Sequence, residues 1–246
     1  MALTFPGESA DYRAARDALL VRERELRQTL EQVAIARRAL PPGGEVPEDY
    51  VFHELRDGAV GDVRLSELFS GRPSLAIYSF MFPRDPTDER PGPETRRSKL
   101  LPLLEAPCAS CTALLDQLDG AIPHVAPLMS FVVVARAPVE RVTVFAEERG
   151  WRHLRIVSSN GNTFNRDYHA ESDTGTQRPF LNVFHRSGSV VRHFWGSELF
   201  DEPTEPGQDP RHVGTLEPSW NLLDLTPEGR PAAWDEQFVY PDGSVG

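Results

Sequence analysis

The chain has 246 residues, of which 39% are hydrophobic and 26% charged, enough apolar material for a buried core and too much for global disorder. Lys and Arg number 26 against 37 Asp and Glu, a net charge of −11, which opposes binding to nucleic acid or an anionic membrane because both need a cationic face. Lys99 is the only lysine, so Schiff-base chemistry has one candidate amine.

Met1 to Glu8 lacks a basic start followed by an apolar core, and no apolar run approaches the ~20 residues that cross a bilayer. The expectation is a cytoplasmic protein with reduced thiols. Ser9 to Leu40 contains no Gly or Pro, and Leu19, Leu26, Leu30 and Val33 make one apolar stripe at helical spacing. Ser9 is a fair N-cap, and Pro41-Pro42-Gly43-Gly44 ends the helix. Two readings stand for this helix: it packs across the main domain, or it dimerises two copies of the chain.

From Tyr50 the period changes. Tyr50 to Leu55 reads as a strand, Arg56-Asp57-Gly58 as a turn, and Val63 to Phe69 as a short structured approach. Leu75 to Phe82 is almost wholly apolar, which predicts a strand covered on both faces. Pro83 to Lys99 is rich in proline and charge and predicts no regular element. Cys108 to Leu118 returns to helix spacing through Cys111, Leu114, Leu115 and Leu118. Phe131 to Ala135 is a second buried strand. Pro138 to Gly150 is a helix, with proline in its first turn and glycine at its end. Arg155 to Val157 adds a short strand. Phe180 to Phe184 and Val190 to Trp195 flank Arg186-Ser187-Gly188-Ser189 as a hairpin. After Phe200, prolines 203, 206, 210 and 218 and little periodicity predict a tail wrapped on the surface.

Strand, helix carrying the cysteines, strand, helix, then a hairpin implies a mixed sheet with helices on both faces. This is the α/β order of a thioredoxin-like fold. The expected organisation is an N-terminal helical extension over 1–49, a thioredoxin-like domain over 50–200 with an insert at 83–107, and an irregular C-terminal tail over 201–246 packed on that domain.

Cys108-Ala109-Ser110-Cys111 opens the predicted helix. A spacing of three puts both sulfurs on one face of the first turn. Cys108 then lies where unpaired N–H groups and the helix dipole favour an anion, and such motifs lower a thiol pKa from ~8.5 to roughly 3.5–7.5. The expected chemistry is attack by the Cys108 thiolate on a substrate disulfide, followed by resolution by a more buried Cys111. Pro107 helps set the direction of the chain into the helix. Three other readings compete with a redox pair: half of a zinc site, a metal-delivery site, and two incidental cysteines. Zinc normally takes four ligands, and the seven histidines (53, 124, 153, 169, 185, 193 and 212) form no H-x₃₋₅-H pair. No metal and no cofactor are expected.

Arg178-Pro179 immediately precedes the strand beginning at Phe180. In thioredoxin-like folds a cis-proline at that place faces the two cysteines and pairs with an extended substrate. On this reading Pro179 shapes the substrate groove, and Arg178 sits near the sulfurs and favours the thiolate. The alternative is a trans proline starting a strand, with Arg178 in solvent.

These residues resemble the bacterial family catalogued as domain of unknown function 899, whose members are described as predicted dithiol–disulfide oxidoreductases of thioredoxin-like fold. The resemblance runs through Ala36-Arg37-Arg38-Ala39-Leu40-Pro41, Asp49-Tyr50-Val51-Phe52, Tyr78-Ser79-Phe80-Met81-Phe82, Cys108 to Cys111 and Leu115-Asp116-Gln117-Leu118-Asp119-Gly120. It continues through Ala135-Arg136-Ala137-Pro138, Gly150-Trp151, Phe164-Asn165-Arg166-Asp167-Tyr168 and Leu223-Asp224-Leu225-Thr226-Pro227. It implies the fold and a thiol chemistry. The chain departs from the family pattern at Ala109, where proline usually stands. It departs again in the extended segment Pro83 to Pro107, which carries Arg84, Arg90, Arg96, Arg97 and Lys99. That insert reads either as a solvated loop or as a lid recognising an acidic partner.

Gly58 to Phe82 also resembles the peroxiredoxin superfamily's entry to the sheet. Peroxide reduction needs a hydroxyl residue three before the nucleophile, and Glu105 stands there, where a carboxylate would raise the cysteine pKa. His169 is a candidate general acid for the leaving thiol, or a surface group. No phosphate-cradling loop, Ser–His–Asp signature or HExxH is present. The sequence therefore reads as a thiol–disulfide oxidoreductase, its partners a disulfide-bearing protein or small thiol and an electron donor. A metal-binding or non-catalytic protein of the same fold, or a peroxidase, is the alternative.

Overall fold

The computed structural model describes residues 3–206, 208–231 and 234–246. Residues 1 and 2, the start of the segment read for a leader, lie outside the described residues. Two compact units are formed by residues 1–43 and 44–246.

The first unit is built on α1 (Ala10–Arg38), capped by Ser9, whose Oγ accepts from the Tyr12 amide at 3.1 Å. Arg37 and Arg38 in the last turn complement the helix dipole. No residue of α1 is buried, and Leu19, Leu26, Leu30 and Val33 are all exposed.

The second unit begins with a hairpin, β1 (Val51–Arg56) and β2 (Ala59–Arg64), followed by α2 (Leu65–Leu68) and β3 (Ser74–Phe80). After the insert come α3 (Ala109–Asp119), α4 (Ile122–Val125), β4 (Ser130–Ala135), α5 (Val139–Arg149), β5 (Arg155–Ser158) and α6 (Phe164–Asp167). The hairpin of β6 (Phe180–Ser187) and β7 (Val190–Gly196) and a short α7 (Pro218–Leu223) complete it. One seven-stranded sheet has the order β2-β1-β5-β4-β3-β6-β7. Strand β3 runs parallel to β4, with Tyr78 opposite Val133, and antiparallel to β6, with Tyr78 opposite Leu181. The order β4-β3-β6-β7, with the cysteine helix between β3 and β4, is the thioredoxin-like arrangement that the sequence implied.

The almost unbroken apolar run of β3 is explained by cover on both faces. Ala76, Tyr78 and Phe80 pack with Leu114 and Leu115 of α3 and Val142 and Phe145 of α5. Leu75 and Ile77 face the other way, against Leu65, Leu68 and Phe69. Gly150 ends α5 at φ +78°, the left-handed turn that glycine makes without steric cost.

Three expectations need correction. The approach at 63–69 is preceded by strand β2, whose sequence Ala-Val-Gly-Asp-Val-Arg is exposed apart from Val63 and shows no buried face to read. Asp57 and Gly58, both at positive φ, close the hairpin as a two-residue loop requires. The insert is folded, with 3-10 turns at Ser98–Leu100 and Leu103–Glu105, and Arg84 is fully buried inside it. The segment after Phe200 does more than coat the surface: Val213, Trp220 and Phe238 are buried, and Val213 and Phe238 join the core over α3 and α5.

Candidate active site

The backbone beyond β3 fixes where the cysteines lie. The Met81 carbonyl accepts from the Cys108 amide at 3.0 Å, and the Arg84 amide donates to the Ala106 carbonyl at 2.8 Å. On the other side Phe82 accepts from the Ala137 amide at 2.8 Å. The insert is thus looped out and its two ends are tied together. This places Cys108 beyond the carboxyl end of β3, the position where open α/β sheets present their ligand crevice. Arg84 locks the junction by donating to the Pro107 carbonyl from Nε at 3.1 Å and Nη2 at 2.9 Å, and to the Arg90 carbonyl at 2.6 Å. Pro107 contributes that carbonyl and the entry to α3.

Cys108 is the N-cap of α3, and its Sγ accepts from the Cys111 amide at 3.4 Å. Cys111 is one turn on. Both cysteines are free thiols and both are only 2% exposed, so Cys111 is no more buried than Cys108. Their environments nevertheless push them apart. The Cys111 thiol hydrogen-bonds the Cys108 sulfur and lowers its pKa. Burial opposes this, while the Cys111 amide and the Arg90 charge reinforce it. Burial raises Cys111 well above the ordinary thiol, as does the Cys108 sulfur beside it, against a hydrogen bond donated by the Tyr78 hydroxyl.

The cations that act on Cys108 include Arg90 and Arg84, both from the insert. Arg90 is held by the Asp88 carboxylate, with both contacts at 2.8 Å, by Asp235 at 2.7 Å, and by Ser110 Oγ at 2.8 Å. Arg178 and Pro179 do line the cavity onto which both cysteines open, but Arg178 is paired with Asp201 and lies over the Phe200 ring. The cis peptide among the described residues joins Phe82 to Pro83, and the Arg178–Pro179 bond is trans. His169 lines a different cavity, with Tyr168, Asn182 and His193. Glu105, three before Cys108, turns to Arg141 at 3.0 Å.

The cysteine cavity has a volume of about 510 Å3. Several of its groups escaped the sequence reading because they lie in the segment after Phe200. Glu217 is 8% exposed, and its carboxyl is pushed up to about 7 by burial, then by Glu236 and Asp209. His212 is pushed down to about 4 by burial and by Arg178, and its Nε2 is buried without a partner. Trp220 donates its indole N–H to Glu236 at 2.8 Å. The one available signal for these residues was the acid-aromatic run Glu217-Pro218-Ser219-Trp220, which carries no periodicity. In the sequence Tyr78 stands out only as part of an apolar strand and of the family resemblance, neither of which points to the sulfurs. Among the described residues no group of three or more His, Cys, Asp or Glu side chains is placed to hold a metal ion, and no helix is long and apolar enough to cross a membrane.

Residues 3–241 match the family described as "Bacterial protein of unknown function (DUF899)". No curated protein matches the chain. Solved structures similar to it include a peroxiredoxin-like protein from Aquifex aeolicus, 11% identical over 64% of this chain and 75% of that one, with a TM-score of 0.41. Peroxidoxin BcpB from Mycobacterium tuberculosis is 15% identical over 75% of this chain and 98% of its own, TM-score 0.42. The exposed lipoprotein thioredoxin Etrx1 of Streptococcus pneumoniae is 12% identical over 70% and 99%, TM-score 0.38.

Proposed function

The chain belongs to the DUF899 family of bacterial proteins, and from its site we propose that it is a dithiol–disulfide oxidoreductase in which Cys108 is the nucleophile and Cys111 resolves. The observation that carries the reading is the paired but opposed environment of two sulfurs in one turn of α3: one thiol stabilised as thiolate, the other held protonated, both opening on one cavity.

The Cys108 thiolate attacks one sulfur of a disulfide RSSR. The S–S bond breaks, RS⁻ leaves and takes up a proton, and a Cys108–SR mixed disulfide remains. Cys111 then gives up its proton and attacks Cys108 Sγ, forming the Cys108–Cys111 disulfide and releasing the second RSH. The substrate is reduced by two electrons and the protein oxidised by two, and an external dithiol returns the protein to its starting state. Burial disfavours an isolated Cys111 thiolate, so its proton needs an acceptor. Glu217, in the same cavity and titrating near neutrality, serves that role in the proposal. Arg178 and Pro179, which line the same cavity, form part of the substrate wall in the proposal. The proposal includes a reducing, cytoplasmic setting, as expected of a reversible pair of thiols.

Mild oxidation of the reduced protein with diamide tests this. The expected product is an intramolecular disulfide, seen by mass spectrometry as the loss of two hydrogens and absent from Cys108→Ser and Cys111→Ser. With bis(2-hydroxyethyl) disulfide as the co-reactant, the mixed disulfide on Cys108 should accumulate in Cys111→Ser. Retention of two free thiols after oxidation would sink the proposal.

A further inference from the structure

Both sulfurs are buried, yet both line a partly open cavity, one wall of which is this chain's own C-terminal segment, through Phe200, Pro210, His212 and Trp220. That wall is fastened directly to the cysteine helix and the insert. Asp235 accepts from Ser110 Oγ at 2.5 Å and pairs with Arg90 at 2.7 Å. The Ser219 amide donates to Gln117 Oε1 of α3 at 2.7 Å, and the Arg90 guanidinium donates to the Glu236 carbonyl at 2.8 Å. An extended polypeptide laid across a Cys-x-x-Cys helix needs a groove along it, and here the C-terminal segment is fastened to that helix at Ser110 and Gln117. A space of about 510 Å3 falls within the range of small-molecule sites.

Charge narrows the occupant further. Asp85, Asp209, Glu217 and Asp235 line the cavity against Arg90 and Arg178. Each arginine is already matched, Arg90 by Asp88 and Asp235 and Arg178 by Asp201. With Asp235 matched to Arg90 and Glu217 titrating near neutrality, Asp85 and Asp209 are left as lining carboxylates not committed to these arginines, and Phe200, Trp220, Pro179 and Met81 supply apolar wall. We propose, on the reading that Cys108 and Cys111 are a redox pair, that this cavity takes a small, non-peptide disulfide carrying no net negative charge. The electron balance is that of the exchange above: one disulfide substrate gives two small thiols, and the Cys108–Cys111 dithiol gives the protein disulfide. The deep burial of both sulfurs behind the C-terminal wall disfavours a bulky protein disulfide, and the carboxylates not committed to an arginine disfavour an anionic one.

The pre-reduced full chain is mixed with bis(2-hydroxyethyl) disulfide (uncharged), cystamine (cationic), oxidised glutathione (anionic) or insulin (a protein disulfide). Formation of the Cys108–Cys111 disulfide is followed after quenching with N-ethylmaleimide. Each rate is divided by that of the same reagent with the chain unfolded in guanidinium, which removes intrinsic reactivity. The uncharged and cationic disulfides are expected to exceed glutathione disulfide by at least about tenfold, a small part of what like charges at contact distance cost, and insulin is expected to be slower still. Insulin reacting as fast as the small disulfides, or a preference for glutathione disulfide, overturns the inference. If diamide forms the protein disulfide but none of the small disulfides does, the substrate class is wrong and the redox pair stands. If diamide fails as well, the redox pair itself falls. Asp209→Asn, a change at an exposed position, is expected to raise the glutathione disulfide rate relative to bis(2-hydroxyethyl) disulfide several-fold; an unchanged ratio counts against the charge argument.

Discussion

Cys108 and Cys111 are the same residue type three positions apart, and what separates them is who donates to whom. Cys108 receives the Cys111 thiol, the Cys111 amide and the Arg90 charge, whereas Cys111 faces burial and its partner's sulfur. Iodoacetamide should therefore alkylate Cys108 with a pH midpoint below the ~8.5 of an ordinary thiol. Arg90→Gln should move that midpoint upward. A midpoint unchanged by the substitution would remove Arg90 from the account.

Glu217 gives a second test at this scale. Its folded-state pKa of about 7 lies above the 4.5 of an ordinary glutamate, so the folded protein binds this proton more tightly than the unfolded chain. The resulting stabilisation is complete below about pH 4.5 and is lost as pH rises through about 7, an effect of up to about 3 kcal/mol. Glu217→Gln should flatten the pH dependence of unfolding free energy between pH 5 and 8 and leave the variant the more stable of the two at pH 8. Superimposable curves would contradict the burial argument. The same variant should slow resolution by Cys111 while leaving the first alkylation of Cys108 unchanged.

Among the elements, the junction between β3 and α3 rests on one buried cation. Arg84 satisfies the Pro107 and Arg90 carbonyls and has no exposed side-chain surface. Arg84→Ala leaves those acceptors unpaired and should cost roughly 3 kcal/mol in denaturant unfolding. Lysine cannot reproduce the planar fork and should rescue little. Full stability in Arg84→Ala would show that the insert is not anchored as described. These elements also show what could be read from sequence. The double-sided cover of β3, the cap at Cys108 and the glycine stop of α5 each follow from local pattern, and each is present. Strand β2 escaped because its side chains carry no buried face. The anchoring of Arg84 escaped because nothing in a proline- and charge-rich run distinguishes a buried guanidinium from a solvated one. Arg178 shares the cavity with the sulfurs, as its place before Pro179 suggests, but its pairing with Asp201, 23 residues on, is a contact that local pattern does not show.

For the molecule as a whole, the decisive feature is that residues far apart in the chain line one cavity. The cysteine pair is legible from spacing alone, whereas the C-terminal wall beside it is not. Trp220 and Glu236 sit more than a hundred residues beyond Cys108 in a segment without periodicity, and only the folded chain brings them together. Trp220 is 6% exposed and donates to Glu236, so Trp220→Ala should destabilise the fold by roughly 3 kcal/mol. It should also make Cys108 reactive toward a polymer-linked maleimide that the native chain resists. Asp235→Asn, which loosens the same wall at a half-exposed position, should raise that reactivity with a much smaller loss of stability. Equal resistance in both variants would mean that the segment does not control access.

The central claim, that Cys108 and Cys111 exchange two electrons as a unit, is tested most directly by equilibrating the protein across a series of thiol/disulfide redox buffers and counting free thiols by mass after acid quenching. A single two-electron transition, with both thiols lost together and no transition in Cys108→Ser or Cys111→Ser, is the predicted result. Two free thiols at every potential, or loss of one thiol independently of the other, would contradict it.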